Sequence, residues 1–136
     1  MNDQSATEVV THMMQNDFFS QWLGIEILEV KEGYSKIKML VRKEMLNGFG
    51  IVHGGLAFSL GDTAFAFACN NRNNISVALD VTITFTKPVN VGDVLTADLK
   101  KCTMGKVQAF TSSLFLIKRM RLLLFLKEPV SEPRRR

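Results

Sequence analysis

The chain has 136 residues, 46% of them hydrophobic and 22% charged, which is enough for one domain with a real core. Its formal charge of +4 comes wholly from the end: from Arg119 onward, Arg119, Arg121, Lys127, Arg134, Arg135 and Arg136 face only Glu128 and Glu132, and the preceding body is neutral. A charge confined to a tail excludes a nucleic-acid-binding surface as the basis of function, and no apolar run is long enough to span a membrane.

The opening "MNDQSATEVV" has neither a basic start nor an apolar stretch, so no secretory signal is read and a cytoplasmic protein is expected. Residues 5–19 place Val9, Val10, Met13 and Met14 at helical spacing, an amphipathic helix. "WLGIEILEVKEGYSKIKMLVR" then reads as two strands about a corner at Glu32-Gly33. Ile25 and Ile27 alternate in the first, and Lys36 and Lys38 oppose Ile37 and Met39 in the second. "KEMLNGFG" is a loop.

A helix from Gly54 to Cys69 follows, closed by "NNRNN". "ISVALDVTITFTKPV" sets Val81, Ile83 and Phe85 against Thr82, Thr84 and Thr86, a strand pattern dense in β-branched residues. The turn "NVGD", the strand "VLTADLKKCT", the turn "MGK" and the strand "VQAFTSSLFLIK" complete the meander. Cys69 and Cys102 have neither metal-ligand spacing nor a CxxC pattern and are expected as reduced packing residues. Strands bunched around a single long helix, without βαβ alternation, specify an α+β fold with an antiparallel sheet. The helix is apolar on nearly every side, so the sheet must curve around it.

Two features of that helix bear on chemistry. Gly54 and Gly55 follow His53 at its N-terminus, where unpaired N–H groups and the helix dipole favour a ligand oxygen, and glycine lets it approach. The pattern lacks the lysine and length of a phosphate loop, so a carbonyl oxygen fits better than phosphate. The same glycines also suit plain tight packing. Asp62 stands among phenylalanines, where a carboxylate is costly unless it is paired or satisfied. Ser59 and Thr63 offer hydroxyls that would satisfy it locally; otherwise it is a general base or a nucleophile. Asp62 lies seven residues beyond Gly55, about 10 Å along the axis, too far for both to serve one reacting centre. Two antiparallel copies of the helix would bring Gly55 of one chain opposite Asp62 of the other, which favours a homodimer with composite sites. His53 beside the glycines suits orienting a carbonyl; Asn47 suits positioning water, or simply a turn. "FSLGD" is not a nucleophile elbow for Ser59.

The run "NGFGIVHGGLAFSLGDTAFAFACN", with "LDVTITFTKPVNVGDVLTADL" after it, resembles the hotdog-fold acyl-CoA thioesterases of the PaaI type, linked to phenylacetate degradation. The likeness spans about residues 8–118. It implies a hotdog fold, dimers that pair into tetramers, and hydrolysis of an acyl-CoA to acid and CoA with no metal or cofactor. Carried over by position, Asp62 is base or nucleophile, the Gly55 N–H polarises the thioester carbonyl, His53 and Asn47 orient carbonyl and water, and Thr63 is an auxiliary polar contact. Gly54, Phe49, Leu56 and Phe58 would meet the substrate, and Lys87, Arg72 and Lys106 the phosphates of CoA.

Residues 1–136 are expected to form one such domain, with residues 119–136 atypical. There "RMRLLLFLKEPVSEPRRR" replaces an alternating last strand, as an out-of-frame tail would. Leu122–Leu126 are expected as an edge strand and residues 127–136 as frayed. Two rivals share the implied fold: an acyl-thioester dehydratase or hydratase, recruiting His53 and Asp62 for proton abstraction, and a non-catalytic acyl-CoA sensor.

Overall fold

A computed structural model describes residues 2–73, 75–78, 81, 83–85, 87–104, 109–117 and 120–125, with side chains described up to Leu99. The elements in chain order are α1 (Asp3–Asn16), α2 (Phe18–Leu23), β1 (Glu26–Lys31), β2 (Tyr34–Leu40), a 3-10 turn (Lys43–Met45), α3 (Gly54–Asn70), β3 (Val94–Met104), β4 (Ala109–Ile117) and β5 (Met120–Phe125). The five strands form one antiparallel sheet in the order β1-β2-β3-β4-β5. This is the expected α+β arrangement.

The leading helix differs from the single run expected over 5–19. It stops at Asp17, whose carboxylate accepts from Ser20 N at 2.9 Å and so caps a new helix. That second helix carries Trp22 and Leu23, which the sequence reading placed in a strand, and ends at Gly24 with φ +72°, a left-handed conformation suited to glycine. Arg42 donates to the carbonyls of Trp22 and Leu23 at 2.8 and 2.9 Å, satisfying groups the helix leaves orphaned.

The hairpin turns at Glu32-Gly33 as predicted, pairing Lys31 with Tyr34. In β2 the alternation holds: Ser35, Ile37 and Met39 are buried while Lys36 and Lys38 lie on the other face. In β1 it fails, because a register shift between Ile27 and Glu29 leaves both Ile27 and Leu28 exposed. The core forms where β2 and β3 (Leu95, Ala97, Leu99) meet α3 (Ala57, Leu60, Ala64, Phe67, Ala68), and α1 adds Ala6 and Val10.

The strand expected over 75–89 is corrected. Its described residues, 75–78, 81, 83–85 and 87–89, belong to no strand. A strand is defined by the ladder beside it, and β-propensity alone does not supply one; none of the five sheet strands is this segment. Ile75, Val77 and Phe85 are consequently 73%, 52% and 51% exposed. At the sheet's other end the predicted apolar edge strand is β5, while residues 127–136 and the turn at 105–106 lie outside the described residues. Cys69 is buried and disulfide-bonded rather than reduced. The spacing argument excluded only local pairs, and sequence distance does not say which side chains a fold brings together.

"NNRNN" does more than stop a helix. Asn71 is fully buried; its Oδ1 accepts from Gly33 N at 3.0 Å, and its Nδ2 donates to Lys31 O at 2.8 Å and Tyr34 O at 3.3 Å. The hairpin corner is thereby fastened to the C-terminus of α3, and Arg72 reinforces it through Glu32 at 3.0 Å. Replacing Asn71 by Ala strands buried backbone groups that each cost roughly 1–3 kcal/mol when unsatisfied. Asn71→Ala is therefore expected to lower the unfolding free energy by about 2–4 kcal/mol in urea titrations; a loss below about 0.5 kcal/mol would contradict the clamp.

Candidate active site

Both features singled out in the sequence stand on one unbroken helix, α3. Asp62 projects from its middle into the mouth of a cavity of about 560 Å3, lined by Phe58, Phe65, Ala66, Ser76, Val77, Ala78 and Val81. The acid is therefore not sealed in the core: in the single chain it is exposed, on the side lined by Ser76, Val77, Ala78 and Val81, none of which is in a strand. Apolar walls still strip water from it, and the charge of Asp17 adds repulsion, so the Asp62 carboxyl is held above the usual aspartate range.

The two hydroxyls that would have satisfied Asp62 are committed elsewhere. Ser59 Oγ donates to Gly55 O at 2.7 Å. Thr63 Oγ1 lies 3.0 Å from Ser20 Oγ, which itself donates to Asp17 Oδ2 at 2.6 Å. With its own proton spent on Asp17, Ser20 accepts, so Thr63 is the donor and its hydroxyl points away from Asp62. Among the described residues nothing hydrogen-bonds the Asp62 carboxylate. The expected auxiliary polar contact at Thr63 is thus a buried packing link between α3 and α2.

At the helix N-terminus the geometry adds something the spacing did not reveal. His53 is the N-cap, and its Nδ1 accepts from Gly55 N at 3.0 Å. The amide assigned to a substrate carbonyl is occupied by the preceding imidazole, so it becomes available only when that ring turns away. Gly54 is crowded by Phe85, since a Cβ there would sit 2.9 Å from the ring. The atoms met are the far end of the half-exposed Phe85 ring, which can shift, so the contact favours glycine at 54 without requiring it.

The remaining candidates are dispersed. Asn47 accepts from Phe49 N at 2.9 Å and Ile51 N at 3.4 Å, folding its own loop. Phe49 is 91% exposed at that loop's tip, and Leu56 is half-buried against the core. Phe58 lies on the cavity wall beside Asp62. Lys87 is exposed next to Pro88. The Arg72 guanidinium is engaged with Glu32 at the far end of α3, and Lys106 lies outside the described residues. No cluster of metal-ligating side chains occurs among the described residues. No helix among them is long and apolar enough to cross a membrane. Asp17 and Ser20 were missed: "DFFS" has the N-cap spacing of a new helix, but the periodicity of α1 was carried through it.

Comparison with known proteins agrees with this architecture. The thioesterase superfamily profile matches residues 49–113. A putative esterase of Archaeoglobus fulgidus is 41% identical over 106 residues, 78% of this chain and 69% of that protein. The acyl-coenzyme A thioesterase PaaI of Escherichia coli is 45% identical over 94 residues, 69% of this chain and 67% of that protein. The solved structure of the E. coli PaaI protein from the phenylacetic acid degradation operon superposes with a TM-score of 0.85 at 32% identity, covering 96% of this chain and 99% of that one.

An acid whose folded proton affinity is raised weakens the fold when ionised. The penalty appears as pH rises through the unfolded carboxylate value, about 3.9, and is complete above the folded value. Asp62→Asn is accordingly expected to raise the melting temperature at pH 7–8 by about 1–3 °C, with the gain vanishing towards pH 3. Melting curves across that range check it; a gain that persists unchanged at pH 3 would refute the desolvated-acid account.

Proposed function

The chain belongs to the thioesterase superfamily as a PaaI-type hotdog enzyme, and from that premise we propose that it hydrolyses an acyl-CoA to the free acid and coenzyme A. The observation that carries this is Asp62: a carboxylate with raised proton affinity and no hydrogen-bond partner among the described residues, at the mouth of an apolar-walled cavity. Such a group is poised to take a proton from water or to attack a carbonyl itself. Either route forms a C–O bond at the thioester carbon and breaks the C–S bond: water activated by Asp62 adds directly, or Asp62 adds and forms a mixed anhydride that a water molecule then hydrolyses, releasing the free acid and restoring the carboxylate. The carbonyl oxygen carries the negative charge in between, and the thiol leaves with a proton. The Gly55 N–H, at the positive end of the α3 dipole, stabilises that oxygen once His53 gives it up. The displaced imidazole and Asn47 then orient carbonyl and water.

Because Gly55 and Asp62 are two helical turns apart, the site is completed by a second copy. The ladderless segment with exposed Ile75, Val77 and Phe85, which also walls the Asp62 cavity, is the face that copy covers. Phe58 and Phe65 shape the cavity for an aryl or medium-chain acyl group, Leu56 and Phe49 extend that apolar contact, and Lys87 offers a cation to the phosphates of CoA.

Asp62→Asn is expected to lower kcat for thiol release from phenylacetyl-CoA by about 10²–10⁴-fold with KM little changed; retained turnover would remove Asp62 from the chemistry. Mixing Asp62→Asn with Gly55→Val chains tests the composite site. Random dimers in which one site of two is intact in half the population recover about a quarter of the wild-type rate, whereas sites built within one chain recover nothing.

A further inference from the structure

The mechanism leaves one charged group beside Asp62 without a task. Asp17 lies at the break between α1 and α2, partly buried, and both of its carboxylate oxygens are used: Oδ1 accepts from Ser20 N at 2.9 Å and Oδ2 from Ser20 Oγ at 2.6 Å. The second contact has the shortness of a charge-assisted hydrogen bond. Ser20 is 1% exposed and in turn accepts from Thr63, 8% exposed, at 3.0 Å. Thr63 is the residue after Asp62. A buried, directional chain therefore runs from the α3 backbone at the acid, through two hydroxyls, to a second carboxylate on a different element.

An N-cap needs only one acceptor, and a serine, threonine or asparagine would supply it equally well. An aspartate here does something those residues would not, because it keeps a negative charge near Asp62. α3 brings no other ionisable group to that region: Asp62 is its only charged residue, and Cys69 is disulfide-bonded. His53, at the helix N-terminus, is more than two turns away. Among the described residues of the packed elements, Asp17 is the charged side chain that bears on Asp62. The two effects are separable, since Ser20 transmits position whereas the Asp17 charge acts through space.

We propose that Asp17 is a positioning residue for the thioesterase reaction: through Ser20 and Thr63 it fixes the α3 backbone at Asp62, and it places a second carboxylate on the element packed there. The proposal rests on the reading of Asp62 as base or nucleophile given above. Its mechanical part predicts a seat that loosens when the hydroxyl chain is cut. Its electrostatic part has a definite sign. Removing the negative neighbour makes Asp62 a weaker base that stays ionised to lower pH, in agreement with the repulsive direction of the Asp17 contribution.

The test measures kcat and kcat/KM for thiol release across pH 4–9 in the full-length protein, with melting temperature recorded for each variant. Asp17→Asn keeps the cap and loses the charge; the acid limb of kcat/KM should move to lower pH, with the melting temperature nearly kept. Asp17→Ser, another good cap, should move it in the same direction, and serves if the Asn variant folds poorly. Ser20→Ala leaves the charge and cuts the chain, so it should lower kcat by about 3–10-fold with the acid limb in place. An acid limb unmoved in both Asp17 variants, or a Ser20→Ala enzyme with unchanged kcat, overturns the proposal. The underlying reading fails separately, by Asp62→Asn retaining turnover, so the two failures are distinguishable.

Discussion

The structure turns on one incompatibility: an almost wholly apolar helix that must be covered on all sides carries a carboxylate halfway along. Covering the helix is what the hydrophobic effect demands. Ile37, Met39, Leu95 and Ala97 of β2 and β3 take one side, and Val10 of α1 belongs to the same core. Burying the carboxylate in the same way would be opposed by its hydration. The fold answers by leaving a gap along α3 at Asp62, where Ser76, Val77, Ala78 and Val81 wall a cavity without closing it. The gap is the proposed site, and the charge gives a physical reason for it.

The surroundings of that gap are arranged so that Asp62 is left without help. Each adjacent hydroxyl is engaged in another bond, Ser59 with the helix backbone and Thr63 with Ser20. The ordinary ways of calming a buried acid are thus withheld, and a nearby negative charge is added instead. In the proposed mechanism, stability is given up at one position for chemical readiness, a pattern common to catalytic acids and bases. At the helix N-terminus the opposite holds: the amide that would stabilise an oxyanion is occupied by His53, so that end is quenched until the imidazole moves.

The proposed second copy would resolve what the single chain leaves open. Among the described residues, the isolated chain exposes Ile75, Val77 and Phe85 on a segment rich in β-branched residues, and none of those residues is in a strand. Exposed apolar surface joined to an unfinished backbone is the combination that association removes. The proposed partner covers the segment and supplies the glycine amide that lies out of reach along α3. In that proposal, folding and function share a single cause for dimerisation.

Much of this was written in the sequence. The period of α3 and its apolar composition specify a core helix, and its isolated acid marks where that helix is not covered. The alternation in Tyr34–Val41 fixes which face of β2 turns inward, because local periodicity and burial obey the same geometry. What the sequence did not contain is anything that depends on two distant residues meeting. Asn71 reads as a helix breaker and is a clamp on the hairpin 38 residues away, and Thr63 reads as a neighbour of Asp62 and bonds a serine 43 residues away. Residues 75–85 have the composition of a strand, yet strand or not is settled by whether a partner lies alongside. Propensity is a property of one segment, whereas hydrogen bonds, charge repulsion and ladders belong to pairs, and only the tertiary structure decides which pairs exist.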